Sequence, residues 1–201
     1  MLFAKKTAVI SLAISSLMMA PAYATNGLNQ EAYGSKAGGM GGASVAYDSR
    51  NSSLMNNPAT LTLRPDGWDI GVGFSVLNPD VNAQLGGAGG PSFHSSGESY
   101  FMPSLSLIRK DGAFAYGFGV SAQGGMGAEY DGSFAAALTG GALNVPQRSE
   151  LGFLRVMFPI AYEINESLSV AAQIDYGRET LDLQMLDPAS MTYMSHPRRL
   201  H

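Results

Sequence analysis

Trp68-Asp69-Ile70-Gly71-Val72-Gly73-Phe74-Ser75-Val76-Leu77 alternates with a period of two. Trp68, Ile70, Val72, Phe74 and Val76 fall on one side of an extended chain, and Asp69, Gly71, Gly73 and Ser75 on the other. One face is apolar; the other is small and polar. The pattern returns at 113–123, where Phe114, Tyr116, Phe118, Val120 and Ala122 oppose Ala113, Ala115, Gly117, Gly119, Ser121 and Gln123. At 168–177, Leu168, Val170, Ala172, Ile174 and Tyr176 oppose Ser169, Ala171, Gln173, Asp175 and Gly177. Two looser runs, 100–109 and 151–164, bring the expected strands to five, and 179–185 is a candidate sixth.

Strands of about ten residues suit a tilted bilayer crossing and are nearly twice the usual length in soluble sheets. Their polar faces carry Gly, Ser and Ala in place of the Lys and Glu of a water-facing sheet, as the inside of a narrow barrel requires. A soluble sandwich, the competing architecture, explains neither feature. The charged share is 14%, below the roughly 25% of soluble domains. No later apolar run reaches the ~18 residues of a spanning helix candidate. Cys is absent, which excludes disulfides and thiolate metal sites. The expected fold is therefore all-β: an antiparallel transmembrane barrel, partial in this chain, over 65–185.

The connections alternate in length, as in outer-membrane barrels with short periplasmic turns and long outer loops. Residues 78–99 and 124–150 are long, whereas Lys110-Asp111-Gly112 and Asn165-Glu166-Ser167 are tight. Gly112 stands where a turn needs positive φ. The first strand then runs outward, with Trp68 and Tyr162 at the periplasmic boundary and Tyr100 and Tyr176 at the outer one.

Residues 1–24 read as a signal peptide: Lys5 and Lys6, the apolar run 7–20, then Ala22-Tyr23-Ala24 as the cleavage site. Cleavage leaves Thr25 first and takes the formal charge from −4 to −6, which argues against a nucleic-acid partner. Residues 25–64 do not alternate. The Gly-rich run 34–43 is not a phosphate cradle, since no strand precedes it and the P-loop lysine pattern is missing; compact packing is the better reading.

Gly38-Gly39-Met40-Gly41-Gly42-Ala43, Asn57-Pro58-Ala59, Asp80-Val81-Asn82, Ala128-Glu129-Tyr130 within 124–141, and Ala161-Tyr162 occur in an order and spacing that resembles the FadL/TodX outer-membrane channels for long-chain fatty acids and other hydrophobic compounds. The resemblance covers nearly all of 25–183. It implies a barrel in the Gram-negative outer membrane plugged by its own N-terminal hatch (25–64), with outer-membrane lipid and the barrel assembly machinery as partners and no cofactor. A fatty acid or hydrocarbon would be caught by outer loops and released sideways beside a distorted third strand. Met126, Tyr130, Phe134 and Leu138 form the candidate ligand groove, or are loop packing alone. Asn57, Pro58 and Ala59 are candidate hatch contacts bracing it against the wall. Gly117 and Gly119, with Gly124 and Gly125, either permit a break in strand pairing or only keep the lumenal face small.

Two other functions compete. A lipase-like barrel enzyme would need a nucleophile elbow or clustered histidines, but His94, His196 and His201 are scattered and no Gly-x-Ser-x-Gly occurs, so no metal or catalytic site is expected. A passive porin or adhesin would lack a plug. Residues 186–201 read as loop or out-of-family sequence, and five or six strands fall short of the eight a closed barrel needs, so the chain is expected to be part of a larger channel.

Overall fold

The computed structural model describes residues 29–187 and 189–196. The signal-peptide reading, with its cleavage site, lies outside them. The membrane-facing element is a six-stranded antiparallel sheet, in the order β1 (Gly67–Leu77), β4 (Tyr100–Asp111), β5 (Phe114–Tyr130), β6 (Gln147–Asn165), β7 (Leu168–Asp187) and β8 (Thr192–His196). A separate hairpin, β2 (Asn82–Gln84) with β3 (Ser92–His94), sits in the first long loop. The expected tight turns are present, and Gly112 has φ 55°.

Alternation sorts the two faces as the sequence requires. Ile70, Val72, Phe74 and Ile174 are 73%, 78%, 69% and 76% exposed. Register puts them beside Leu105, Leu107, Phe158 and Ile160 in one continuous apolar band. In water such a band would be a severe aggregation hazard; against lipid tails it is the stable arrangement. Higher up, the same face turns polar. Arg148 and Glu150 on β6, and Arg178, Thr180, Asp182 and Gln184 on β7, continue the series above Leu154 and Tyr176, so the apolar band ends there on these two strands.

The opposite face carries the hatch. It comprises α1 (Ser35–Gly39), a 3₁₀ turn (Arg50–Ser52), α2 (Ser53–Asn56) and a second 3₁₀ segment (Pro58–Leu63). Leu54 and Leu61 bury against Ile108, Ala115, Met157 and Ala161 of the wall. The Gln173 amide donates to the Leu54 carbonyl at 3.1 Å, and the Thr62 and Ser169 hydroxyls meet at 2.8 Å. Arg64, almost fully buried, ties the hatch to β1 by pairing with Asp48 at 3.2 Å and Asp69 at 3.5 Å.

Three expectations change. β5 and β6 run to Tyr130 and from Gln147, well into the stretch read as a long loop, and α3 (Gly132–Leu138) occupies much of what remains. The strand 168–177 and the candidate at 179–185 are one strand, β7. Part of the segment read as loop or out-of-family tail is a strand: β8 pairs Thr192 with Asp187 and Met194 with Met185. The β6 and β7 edges share a cause. Above Leu154 and Tyr176 the apolar side chains move to the odd positions Leu151, Phe153, Leu181 and Leu183, so the period-two pattern breaks where the strand continues. On β5 it breaks at the bulge at Gln123.

Candidate functional site: a window in the wall, barred by the hatch

β4 and β5 pair only from Asp111 opposite Phe114 to Ser104 opposite Ser121. Above that level β4 continues against β1 alone, from Pro103 opposite Phe74 to Tyr100 opposite Leu77. β5 continues against β6 alone, after a register shift between Ala122 and Gly124. The chemistry explains the parting. Pro103, one residue beyond the last pair, has no N–H to give a ladder. The extra residue Gln123 bends β5 as a bulge does, and Gly124 and Gly125 follow.

The gap is framed on all sides. Below is the Ser104–Ser121 pair; above, the loop before β4 returns to β5, where Ser96 N–H donates to the Glu129 carbonyl at 2.8 Å and Glu129 N–H to the Ser95 hydroxyl at 2.9 Å. The cavity there measures about 530 Å³; its lining is mainly apolar, with Phe101, Met102, Met126, Leu151 and Phe153, and includes Glu150, Arg178 and Thr180 at its edge. The Tyr100 ring reaches across it, its hydroxyl against Gly127, where a Cβ would overlap the phenol oxygen.

The N-terminal segment bars this window from inside. Asn29 forms a β-bridge with Gly124. The Gln123 side chain donates to the Asn29 amide oxygen at 2.7 Å, and the Tyr33 hydroxyl donates to the Gln123 carbonyl at 2.9 Å. Gln30 spans the gap: its backbone N–H donates to Gln123 at 3.5 Å, while its side chain donates to the Met102 sulfur at 3.1 Å. Every bar holds the strand residue that causes the bulge or its neighbour across the gap.

The four residues of the candidate groove divide. Met126 lines the window and stands in register with Leu151 and Leu181, three apolar side chains in a row across β5, β6 and β7. Tyr130 and Phe134 stack at 4.7 Å, and Phe134 meets Phe93 edge-on at 5.3 Å, so these two belong to an aromatic cluster joining α3 to the β2–β3 hairpin. Leu138 lies one turn along α3 and is exposed. Leu151, Phe153 and Leu181 were not singled out from sequence. Their signal is the apolar side chain moving from even to odd positions beyond Gly177.

The hatch residues also divide. Asn57 caps the 3₁₀ segment begun by Pro58, accepting from Ala59 N–H at 3.1 Å and donating to the Val45 carbonyl at 2.8 Å. Its bonds hold the hatch to itself; the brace against the wall is made instead by Leu54, Leu61, Thr62 and Arg64. Gly119 is a hatch contact, since a Cβ there would sit 3.2 Å from Leu54. Gly117 stands opposite Pro159, where the β5–β6 ladder skips two pairs without changing register. Among the described residues no metal-binding cluster occurs. The His94 ring nitrogens are engaged by Asn82 at 3.0 Å and Glu98 at 2.8 Å within the outer hairpin.

An antiparallel sheet with an apolar outer face, an N-terminal segment packed on its inner face and a gap beside its third strand define part of the wall of an outer-membrane β-barrel. The chain belongs to the outer membrane protein transport protein family (OMPP1/FadL/TodX), whose model matches residues 11–198. It is similar to the P. putida toluene transporter TodX, with 29% identity, a TM-score of 0.71 and coverage of 80% of this chain and 39% of that one. The Ralstonia pickettii toluene transporter TbuX gives 32% identity, a TM-score of 0.67 and coverage of 78% and 40%. An uncharacterized Chlorobium limicola protein encoded in the 5′ region of a phosphoenolpyruvate carboxykinase gene is 47% identical over 85 residues, 41% of this chain and 42% of that protein. The chain thus spans about two-fifths of the length of the relatives it matches.

Proposed function

We propose that this chain supplies the hatch and the window-bearing wall of a passive channel that admits hydrophobic compounds across the outer membrane and releases them sideways between β4 and β5. The observation that carries the reading is the framed apolar gap barred by Asn29, Gln30 and Tyr33. A solute held against Met126, Leu151 and Phe153 would gain roughly 25 cal/mol for each Å² of apolar surface removed from water. It would then pass into lipid without crossing an aqueous lumen. Displacing the N-terminal bar exposes the opening while Leu54 and Leu61 keep the rest of the hatch seated.

The ligand class is apolar. Long-chain fatty acids and aromatic hydrocarbons both suit such a lining, and the solved relatives named as toluene transporters favour the smaller, neutral kind. Binding and passage, rather than catalysis, are the work of the site.

Deleting Gln123 removes the extra residue and lets β5 stay in register with β4 past Ser121. Uptake of labelled toluene and oleate by cells making the whole channel with this deletion should fall at least tenfold, with outer-membrane assembly unchanged. Undiminished uptake would rule out the lateral route, and free permeation of sugars through the parent protein would favour a porin.

A further inference from the structure

The apolar band on the outer face has one ionised side chain among the described residues between the periplasmic turns and the level of Arg148 and Arg178: Arg109 on β4. It lies next to the turn Lys110-Asp111-Gly112, at the periplasmic rim. Register places Trp68 of β1 directly on one side of it and Tyr116 of β5 directly on the other. Its guanidinium sits 5.7 Å from the Trp68 ring centre. The nearest carboxylate, Asp111, is 3.8 Å away and largely exposed, and among the described residues the guanidinium has no hydrogen-bond acceptor.

A guanidinium facing lipid is costly unless its charge is met at the membrane surface. Trp and Tyr rings settle at headgroup depth, and the planar guanidinium fork matches the oxygens of a phosphate. We propose that Trp68, Arg109 and Tyr116 form a binding site for the phosphodiester of an anionic phospholipid in the periplasmic leaflet, anchoring the wall at the foot of the strand pair that parts above to form the window. The proposal rests on the outer-membrane reading of this face.

Trp68 is the sole tryptophan of the chain, so intrinsic fluorescence reports on this site alone. The chain is refolded in mixed micelles of dodecyl maltoside, whose detergent covers the open edges β1 and β8, carrying equal small fractions of either brominated phosphatidylglycerol or brominated phosphatidylethanolamine. One charge near a membrane surface predicts at most about fivefold enrichment of the anionic lipid, reduced by Asp111 at 3.8 Å, and read as stronger quenching of Trp68 by brominated phosphatidylglycerol. Arg109→Gln should equalise the two lipids, and Arg109→Lys should retain part of the preference. Millimolar inorganic phosphate should leave the preference in place. Equal quenching in the parent protein, a preference that survives Arg109→Gln, or its loss to free phosphate would each overturn the site. Absence of quenching by either lipid would instead overturn the membrane placement of this face, and the site with it.

Discussion

At Gly71 the inner face of β1 comes so close to the hatch that a Cβ would overlap the side-chain amide of Asn51 in the first 3₁₀ turn. The small residues on this face are therefore spacing as much as polarity: Gly71 and Gly119 let Asn51 and Leu54 approach the backbone of the wall. Gly71→Ala should turn the Asn51 amide, the end of a flexible side chain, away from the wall, a loosening that costs less than core overpacking, about 0.5–1 kcal/mol. The expected reading is faster protease cleavage within 45–56 than in the parent protein. Gly38→Ala, where a Cβ meets nothing within 4 Å, serves as the control and should leave cleavage unchanged.

Among the elements, α3 is short enough for one capping residue to matter. Asp131 accepts from the Ser133 backbone N–H at 3.0 Å and from the Ser133 hydroxyl, and these bonds hold its carboxyl below the ordinary value of 3.8. A lowered folded pKa means that the stabilisation is fully present above that ordinary value and is lost as the pH falls through the lowered one. The protection of residues 132–138 against hydrogen exchange, taken relative to the intrinsic rate at each pH, should therefore fall below about pH 3.8. Asp131→Ala should lower it already at neutral pH, with the strands unaffected. Exchange in the variant matching the parent at neutral pH would show that packing of Phe134 on Phe93, and not the cap, holds the helix.

For the whole molecule, the sheet is open among the described residues: β1 and β8 each have one neighbour. A closed barrel leaves no unpaired backbone in lipid, where each such group costs several kcal/mol. The 201-residue chain on its own should consequently migrate identically on denaturing gels with and without boiling, lacking the heat-modifiable shift of a closed barrel. A shift would mean that copies pair edge to edge or that the sheet closes by itself.

Much of this was legible in the residues alone. Period-two alternation in 68–77, 113–123 and 168–177 determined the strands and which side meets lipid, because the bilayer imposes one rule on every residue facing it. Gly112 determined its turn, because positive φ is a local demand that glycine meets without strain. The parting of β4 from β5 was decided only in the tertiary structure. Pro103 and Gln123 are 20 residues apart, and neither signals a window until register sets the pairing limit between them at Ser104 and Ser121. Likewise Met126, Leu151 and Leu181 become one apolar row only through two ladders, and Asn29 reaches Gly124 only because the hatch folds back against the wall. Alternation and turn geometry are properties of neighbours along the chain, whereas the window is a property of strands whose alignment depends on loops, bulges and the plug together.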